Sequence, residues 1–330
     1  MDIREIDPHD EALVRRHWEI GHAAEADRPY DFYVPFELAR RTYAEGRDDI
    51  EIVLLGAFDG DEMWAAARVD VNRYDNLELG SATYYTHPDR RRQGLGRALA
   101  EASYDVARSR GCTQLLTEAY TPLDDSSAGV LFGEAMGFRR AIVDGMKVVD
   151  LVETEPSWAA LEEATAPRHT DYRLVAWRDG VPDELVADYC RLNEMFFEQA
   201  PMGELDLEPE KWDEARVRKR EAHNLRTGRH DAAAGAVAPD GTLVAFTEVF
   251  TNDHAPWRGI QSGTLVDPDH RGHGLGLAIK IVNHRQLREH FPQCRVLLTG
   301  NADVNAAMNA VNDTLGYREV ERCVEMQRDL

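Results

Sequence analysis

Cysteine is scarce in this chain of 330 residues. There are four, Cys112, Cys190, Cys294 and Cys323, and none sits in a CxxC pair. That excludes a disulfide framework and suits a reducing cytosol, so a cytoplasmic location is expected. No apolar run approaches the roughly 18 residues of a membrane span. The N-terminal stretch MDIREIDPHDEALVRRHW is charged from its second residue, which is not the pattern of a secretory signal. Positive charge is also short: 38 Lys and Arg face 60 Asp and Glu, for a formal charge of −22. Nucleic acid and anionic membrane are therefore not expected as partners. Lysine itself is nearly absent, with only Lys147, Lys211, Lys219 and Lys280. This reads as a base-composition bias rather than chemistry. No Gly-Lys pair, HExxH or GxSxG occurs. Their absence removes a Walker A loop, a zinc protease and a nucleophile elbow, and no metal is expected.

What is present is a repeat. THPDRRRQGLGRAL at 86–99 and VDPDHRGHGLGLAI at 266–279 share seven of fourteen positions at a spacing of 180. Met136-Gly137-Phe138-Arg139 echoes Leu315-Gly316-Tyr317-Arg318 at a spacing of 179. With 43% hydrophobic residues, each copy can hold its own core. The expected organisation is a first domain over 1–152, a linker over 153–170 and a second domain over 171–330. Two copies in one chain allow a monomer with an internal pseudo-dimer, or a homodimer.

Both halves read alike. A short strand (2–6; 171–176) leads into helices. Two strands follow around an Asp-Gly turn (50–58 and 63–71; 231–238 and 243–251), and a third (77–86; 259–266) runs into the repeated motif. A helix (95–109; 275–290), a strand (113–119; 295–300), a helix (126–136; 303–315) and a terminal pair of strands (138–152; 317–329) complete each half. The fold class is α/β, a mixed sheet with helices on both faces.

The motif is Arg91-Arg92-Gln93-Gly94-Leu95-Gly96 and Arg271-Gly272-His273-Gly274-Leu275-Gly276, set between a strand and a helix. A glycine turn at a helix start bares several backbone N–H groups, and the helix end adds about half a positive charge. The preceding Arg adds a charged donor, so the element suits a pyrophosphate. A Rossmann fingerprint needs GxGxxG/A, but Leu99 and Ile279 stand at its last position, and three strands precede the motif.

Arg-x-x-Gly-x-Gly after a strand, with Gly-Phe or Gly-Tyr some 40 residues later, resembles the acetyl-CoA site of the GNAT superfamily of N-acetyltransferases. The resemblance covers both halves. Residues 200–213, AFTEVF (245–250) and the HRGHGLG block are also similar to tandem acetyltransferases common in actinobacteria. The resemblance implies two tandem acyl-CoA N-acyltransferase domains, each a mostly antiparallel sheet flanked by helices, and acetyl-CoA as cosubstrate. It places the coenzyme's pyrophosphate on the glycine turns. It lays the pantetheine arm along the preceding strand, near Tyr85 and Thr86 or near Leu265 and Val266. In TGNADVNAAMNAVNDTLGY it matches Asn305, eleven residues before Gly316, to an Asn that bonds the pantetheine; the same count in the first half reaches Ser126. Many members carry a Tyr four residues before that Gly as the acid for the leaving thiolate. Here Asn312 and Gly133 stand there, and neither can donate a proton in that way.

For the base the choice is Glu248, on AFTEVF between Phe246 and Phe250, where a carboxylate among aromatics would have a raised pKa. Its alternative is a strand carboxylate that is solvated or paired with an Arg. Glu118 is the weaker counterpart in the first half. Carbonyl polarisation falls to a backbone N–H near Val266. His270 and His273 read as loop residues beside a phosphate. The stretch from Met195 through Phe197, Pro201 and Met202 to Glu204 and Asp206 could line an acceptor site or simply pack and solvate a helix. The expected activity is acetyl transfer to a primary amine of a small molecule by direct attack, with the second half catalytic and the first degenerate or structural. The alternative is an acetyl-CoA-binding regulatory module with little transfer.

Overall fold

The computed structural model describes residues 1–123, 127–199, 203–205 and 207–330, and the chain divides into two compact units. The first contains Met1–Val143, Glu321–Leu330 and the described residues of a short stretch ending at Glu208; the second runs from Asp144 to Val320 outside that stretch.

In the first unit β1 (Asp2–Glu5), β2 (Ile50–Asp59), β3 (Glu62–Asn72), β4 (Leu79–Thr86) and β5 (Gln114–Thr121) lie side by side in that order. Beyond β5 lies β12 (Arg318–Asp329), paired antiparallel from Arg322↔Thr121 to Asp329↔Gln114. Helices α1 (Glu11–Ala24) and α2 (Phe36–Glu45) cover one face; α3 (Leu95–Ser109) and α4 (Ala128–Ala135) cover the other. Being covered twice explains the alanines of β3. Ala65 and Ala67 meet α3, and Ala66 meets the α1 side, all fully buried. Small side chains let helices approach both faces of a central strand.

The second unit repeats the plan with β7 (Arg173–Arg178), β8 (Arg229–Val237), β9 (Leu243–Asn252), β10 (Arg258–Val266) and β11 (Val296–Ala302). Its last strand is β6 (Arg139–Asp150), paired antiparallel with β11 from Asp150↔Val296 to Asp144↔Ala302. Helices α6 (Val186–Gln199) and α7 (Glu214–Thr227) lie on one face, and α8 (Leu275–His290) with α9 (Ala306–Thr314) on the other. The terminal pair of strands expected in each half is a single long strand, so each repeat's last strand completes the other unit's sheet. Within β6, Gly145 sits in ladder register with Asn301, where a Cβ would lie 3.0 Å from the Glu319 carboxyl carbon.

The segment expected as a linker, 153–170, lies mostly within α5 (Leu151–Thr165). Asp150 caps it by accepting from the N–H groups of Val152 and Glu153. Trp158, with no exposed surface, anchors it in a core with Ile281 and Leu287. Its acids meet arginines of α8, Glu162 bidentate with Arg285 and Glu155 with Arg288. No helix among the described residues is long and apolar enough to cross a membrane.

Candidate active site

Two strands part in each unit. β10 pairs in parallel with β11 only at Arg258↔Val296, Gly259↔Leu297 and Ile260↔Leu298, and then both strands continue without pairing to each other. β4 and β5 do the same after Ser81↔Leu116. The result is a cleft whose wall is a strand edge with free backbone donors and acceptors. An extended polar chain can pair there as an added strand does.

The units differ at this point. In the second, the β9–β10 register shifts between Gln261 and Thr264, the signature of a bulge at Ser262–Gly263, right where β10 leaves β11. Such an extra residue bends its strand and re-aims the groups around it. Gln261 braces the bulge, donating to the Glu248 carbonyl at 2.7 Å and to Thr247 Oγ1 at 3.1 Å. In the first unit the register from Ala65↔Thr86 to Val71↔Gly80 is unbroken. Its cleft is also filled. The ring of Phe132 lies 3.4 Å from where a Cβ on Gly96 would be, and Tyr84 stands edge-on to Phe132 and Phe138. A cavity of about 40 Å³ remains beside Thr117, Glu118 and Gly133, room for a few waters at most. Among the described residues, a Cβ on Gly276 of the second unit would meet only Val266, at 3.8 Å.

Each cleft opens onto the repeated motif. Gly94 (φ +88°) and Gly274 (φ +71°) are left-handed N-caps of α3 and α8, and neither helix has a side-chain cap. By contrast Asp10, Ser127, Asp150, Asp213 and Asn305 cap α1, α4, α5, α7 and α9. The first-turn N–H groups of α3 and α8 therefore keep no capping side chain and are available to an anion. The turn of the second unit is the less strained. Gly272 (φ +86°) matches Arg92 (φ +64°), and a non-glycine residue there costs about 1 kcal/mol.

The predicted binding residues distribute as follows. Leu95, Leu265 and Leu275 are buried in the cores, and Val266 packs against one, so all four offer backbone rather than side chain. Gln93 and His273 are exposed on the turns, and His273 Nδ1 lies 3.1 Å from the Arg168 carbonyl. Arg271 is exposed, donating to the Val266 carbonyl and to Gln199 Oε1 at 2.8 Å. Arg91 reaches the Ala24 carbonyl at 3.3 Å, and Thr86 Oγ1 lies beside Gly96. Asn305 spends its Oδ1 on the Met308 N–H, capping α9, while its Nδ2 remains a donor. Ser126 and Asp206 lie outside the described residues, as do Pro201 and Met202. Glu204 pairs loosely with Arg139, exposed, in the first unit rather than at the second unit's cleft. Met195 and Phe196 pack against the core beneath α6. Glu118 accepts from the Tyr120 hydroxyl at 3.2 Å, and desolvation, then the Glu25 charge, raises its pKa.

Glu248 is 4% exposed on β9. Its carboxylate is paired with an Arg: Oε1 accepts from Tyr189 Oη at 2.5 Å and from Arg220 Nη2 at 3.2 Å. Arg220 also donates to Tyr189 Oη at 2.6 Å. Both side-chain contacts fall on Oε1. Burial, then Glu248, holds the Tyr189 hydroxyl well above its ordinary pKa. Burial alone would lower Arg220, but Glu248 and Tyr189 raise it overall, so it stays charged. Asp231, on the neighbouring strand, is pushed up to about 6 by burial and then by Glu248.

Sequence reasoning missed Tyr189, Arg220, Asp231 and Gln261, because their meeting depends on α6, α7 and three strands coming together. It also passed over Lys280. One signal was available: Lys280 interrupts the apolar run Ala278-Ile279-Lys280-Ile281-Val282.

A sequence model of the acetyltransferase (GNAT) family matches this chain twice, at residues 16–138 and 189–317. A mycothiol acetyltransferase from Salinispora arenicola is 30% identical over 247 residues, covering 73% of this chain and 71% of that protein. Among solved structures, a tandem GNAT protein from the clavulanic acid biosynthesis pathway superposes with a TM-score of 0.83 at 24% identity, covering 99% of this chain and 98% of that one. A GCN5-related N-acetyltransferase from Sphaerobacter thermophilus follows with a TM-score of 0.65 at 20% identity, covering 99% and 95%. At those identities the two structures speak for the fold alone.

Proposed function

Since the chain belongs to the GNAT acetyltransferase family and carries its domain twice, we propose that it transfers an acetyl group from acetyl-CoA to a primary amine of a small molecule, and that the second unit does so. The observation that carries this reading is the coincidence, in that unit, of an uncapped helix start, a bulged strand that parts from its neighbour and, among the described residues, open space beside Gly276. The first unit keeps the turn, but its cleft is filled by Phe132 and Tyr84, which favours a structural role.

The residues present fit the coenzyme. Gly272, Gly274, the first-turn N–H groups of α8 and Arg271 would hold the pyrophosphate. The free edge of β10 at Leu265 and Val266, with Asn305 Nδ2, would take the pantetheine arm. When bound, acetyl-CoA supplies an activated acetyl thioester. Glu248 would accept the proton the attacking amine must lose, through Oε2, while Tyr189 and Arg220 fix Oε1. Backbone N–H groups after the bulge would polarise the carbonyl, where preorganised donors contribute most. The charge of −22 favours a cationic amine nearby. A small-molecule acceptor is also what the Salinispora relative's name carries. A cytoplasmic setting belongs to the same reading.

The test compares Gly274→Glu with Gly94→Glu, measuring thiol release from acetyl-CoA across a panel of small amines. A Cβ at Gly274 meets nothing closer than 3.8 Å, so the variant is strained by its φ rather than by a clash. Its carboxylate would oppose an anion; at about 5 Å and an effective dielectric near 20 that is roughly 3 kcal/mol per charge pair. Turnover at limiting acetyl-CoA should fall at least about 100-fold in Gly274→Glu and persist in Gly94→Glu. The opposite pattern would move the active site to the first unit.

A further inference from the structure

Lys280 lies one turn into α8 from Gly276, and 1% of its surface is exposed. Its ammonium donates to Asn312 Oδ1 at 2.6 Å and makes no ion pair among the described residues. The titratable groups facing it offer no negative charge. Tyr317 presents its ring face, 5.0 Å from Nζ. His284, a turn further on, is held neutral, pushed down to about 3 by burial and then by Lys280. Lys147 on β6 adds a like charge, its own amine bonded to Asn309 and paired with Asp313 at 3.5 Å. Burial, then Lys147, brings Lys280 down to about 7.

From Lys280 a polar chain leads to the cleft. Asn312 Nδ2 donates to Asn301 Oδ1 at 2.6 Å. Asn301 lies on β11 three residues beyond Leu298, the last to pair with β10, and so stands on the cleft's lip. The amide of Asn312 has a second N–H to offer. The first unit has nothing comparable. Ala100 and Gly133 hold the corresponding positions, and the Met326 side chain fills the space over Gly133. A methionine or leucine would fill the Lys280 site with no desolvation cost. A buried cation with no counter-ion among the described residues, joined to the cleft's lip through the amides of Asn312 and Asn301, points to an anion that forms in that cleft.

We propose that Lys280, acting through Asn312, is the electrostatic partner of the thiolate that leaves coenzyme A during acetyl transfer. The inference rests on the second unit's cleft being the coenzyme site. As the amine nitrogen bonds to the acetyl carbon, its proton passes to Glu248 and the C–S bond breaks. The electron pair of that bond goes to sulphur. The thiolate is stabilised by the ammonium, polarised through the Asn312 amide, and takes its proton from water on release. No acid group is then required where Asn312 stands. Lys280 is a positioning residue in this scheme.

The test uses the full chain with free coenzyme A and no acceptor. The thiol of bound coenzyme A is titrated by its ultraviolet thiolate absorbance, with an analogue lacking the thiol as the blank; calorimetry gives the affinity. The bound thiol should titrate at least about one unit below that of free coenzyme A titrated alongside, giving about tenfold more thiolate at neutral pH. Lys280→Met and Lys280→Gln should return it to the free value with affinity changed less than about threefold, Asn312→Ala should also raise it, and Lys280→Arg should keep it low. An equal thiol pKa in wild type and both neutral variants would overturn the proposal. Loss of binding in Gly94→Glu but not in Gly274→Glu would instead overturn the site assignment beneath it, and the proposal with it.

Discussion

Lys280→Met should stabilise the protein in mild acid and lose most of that advantage in mild alkali. In the fold the ammonium pKa drops from 10.5 to about 7, chiefly through burial. At 1.36 kcal/mol per unit, the gap is worth roughly 5 kcal/mol against folding at pH 7 and below. The sign follows from proton counting. Between about 7 and 10.5 the unfolded chain binds more protons than the folded one, so stability rises with pH across that window. The penalty shrinks to about 2 kcal/mol at pH 9 and vanishes above 10.5. Methionine removes all of it, but leaves Asn312 Oδ1 without its donor, at about 1–3 kcal/mol for a buried acceptor. The net expectation is a gain of about 2–4 kcal/mol at pH 6 and close to none at pH 9. Urea unfolding at both pH values, read by hydrogen exchange of the α8 amides, measures it on the relevant element. A destabilised variant at pH 6, or the same difference at both pH values, would refute the reasoning.

Two further outcomes follow from the same unit. Glu248→Gln keeps an acceptor for Tyr189 and Arg220 but cannot take a proton, so kcat should fall by about 10²–10⁴ with little change in coenzyme affinity; an unchanged kcat assigns Glu248 to structure alone. Trp158→Ala empties a fully buried site between α5 and α8 and should cost about 3–5 kcal/mol in the second unit's unfolding; a loss under 1 kcal/mol would mean that α5 is a loosely attached connector.

The duplication, the order of elements and the uncapped glycine turns were all legible in the chain. They rest on local rules. A period-two apolar pattern marks a strand, a turn residue ends it, and a glycine at positive φ opens a helix. Segments went wrong where a local cue was outvoted by packing. Pro156 and a run of acids made 153–170 look like a linker, but Trp158 needed a core and the acids found Arg285 and Arg288 on α8. The pair of strands expected over 138–152 is one strand, because β6 has a partner along its whole second half.

What only the tertiary structure shows is how the clefts of the two units differ. Both motifs read alike, yet the bulge at Ser262–Gly263 and the Phe132 ring beside Gly96, itself met edge-on by Tyr84, separate them. Neither depends on the motif; a bulge is a register relation between strands, and a filled cleft is a matter of which rings share a volume. The same holds for Glu248 and Lys280. The chain says only that one acid lies on a strand and one lysine in an apolar helix. Whether a charge is matched by Arg220 or left facing a single amide depends on residues tens of positions away, and burial strengthens that difference because low-polarity surroundings screen it little.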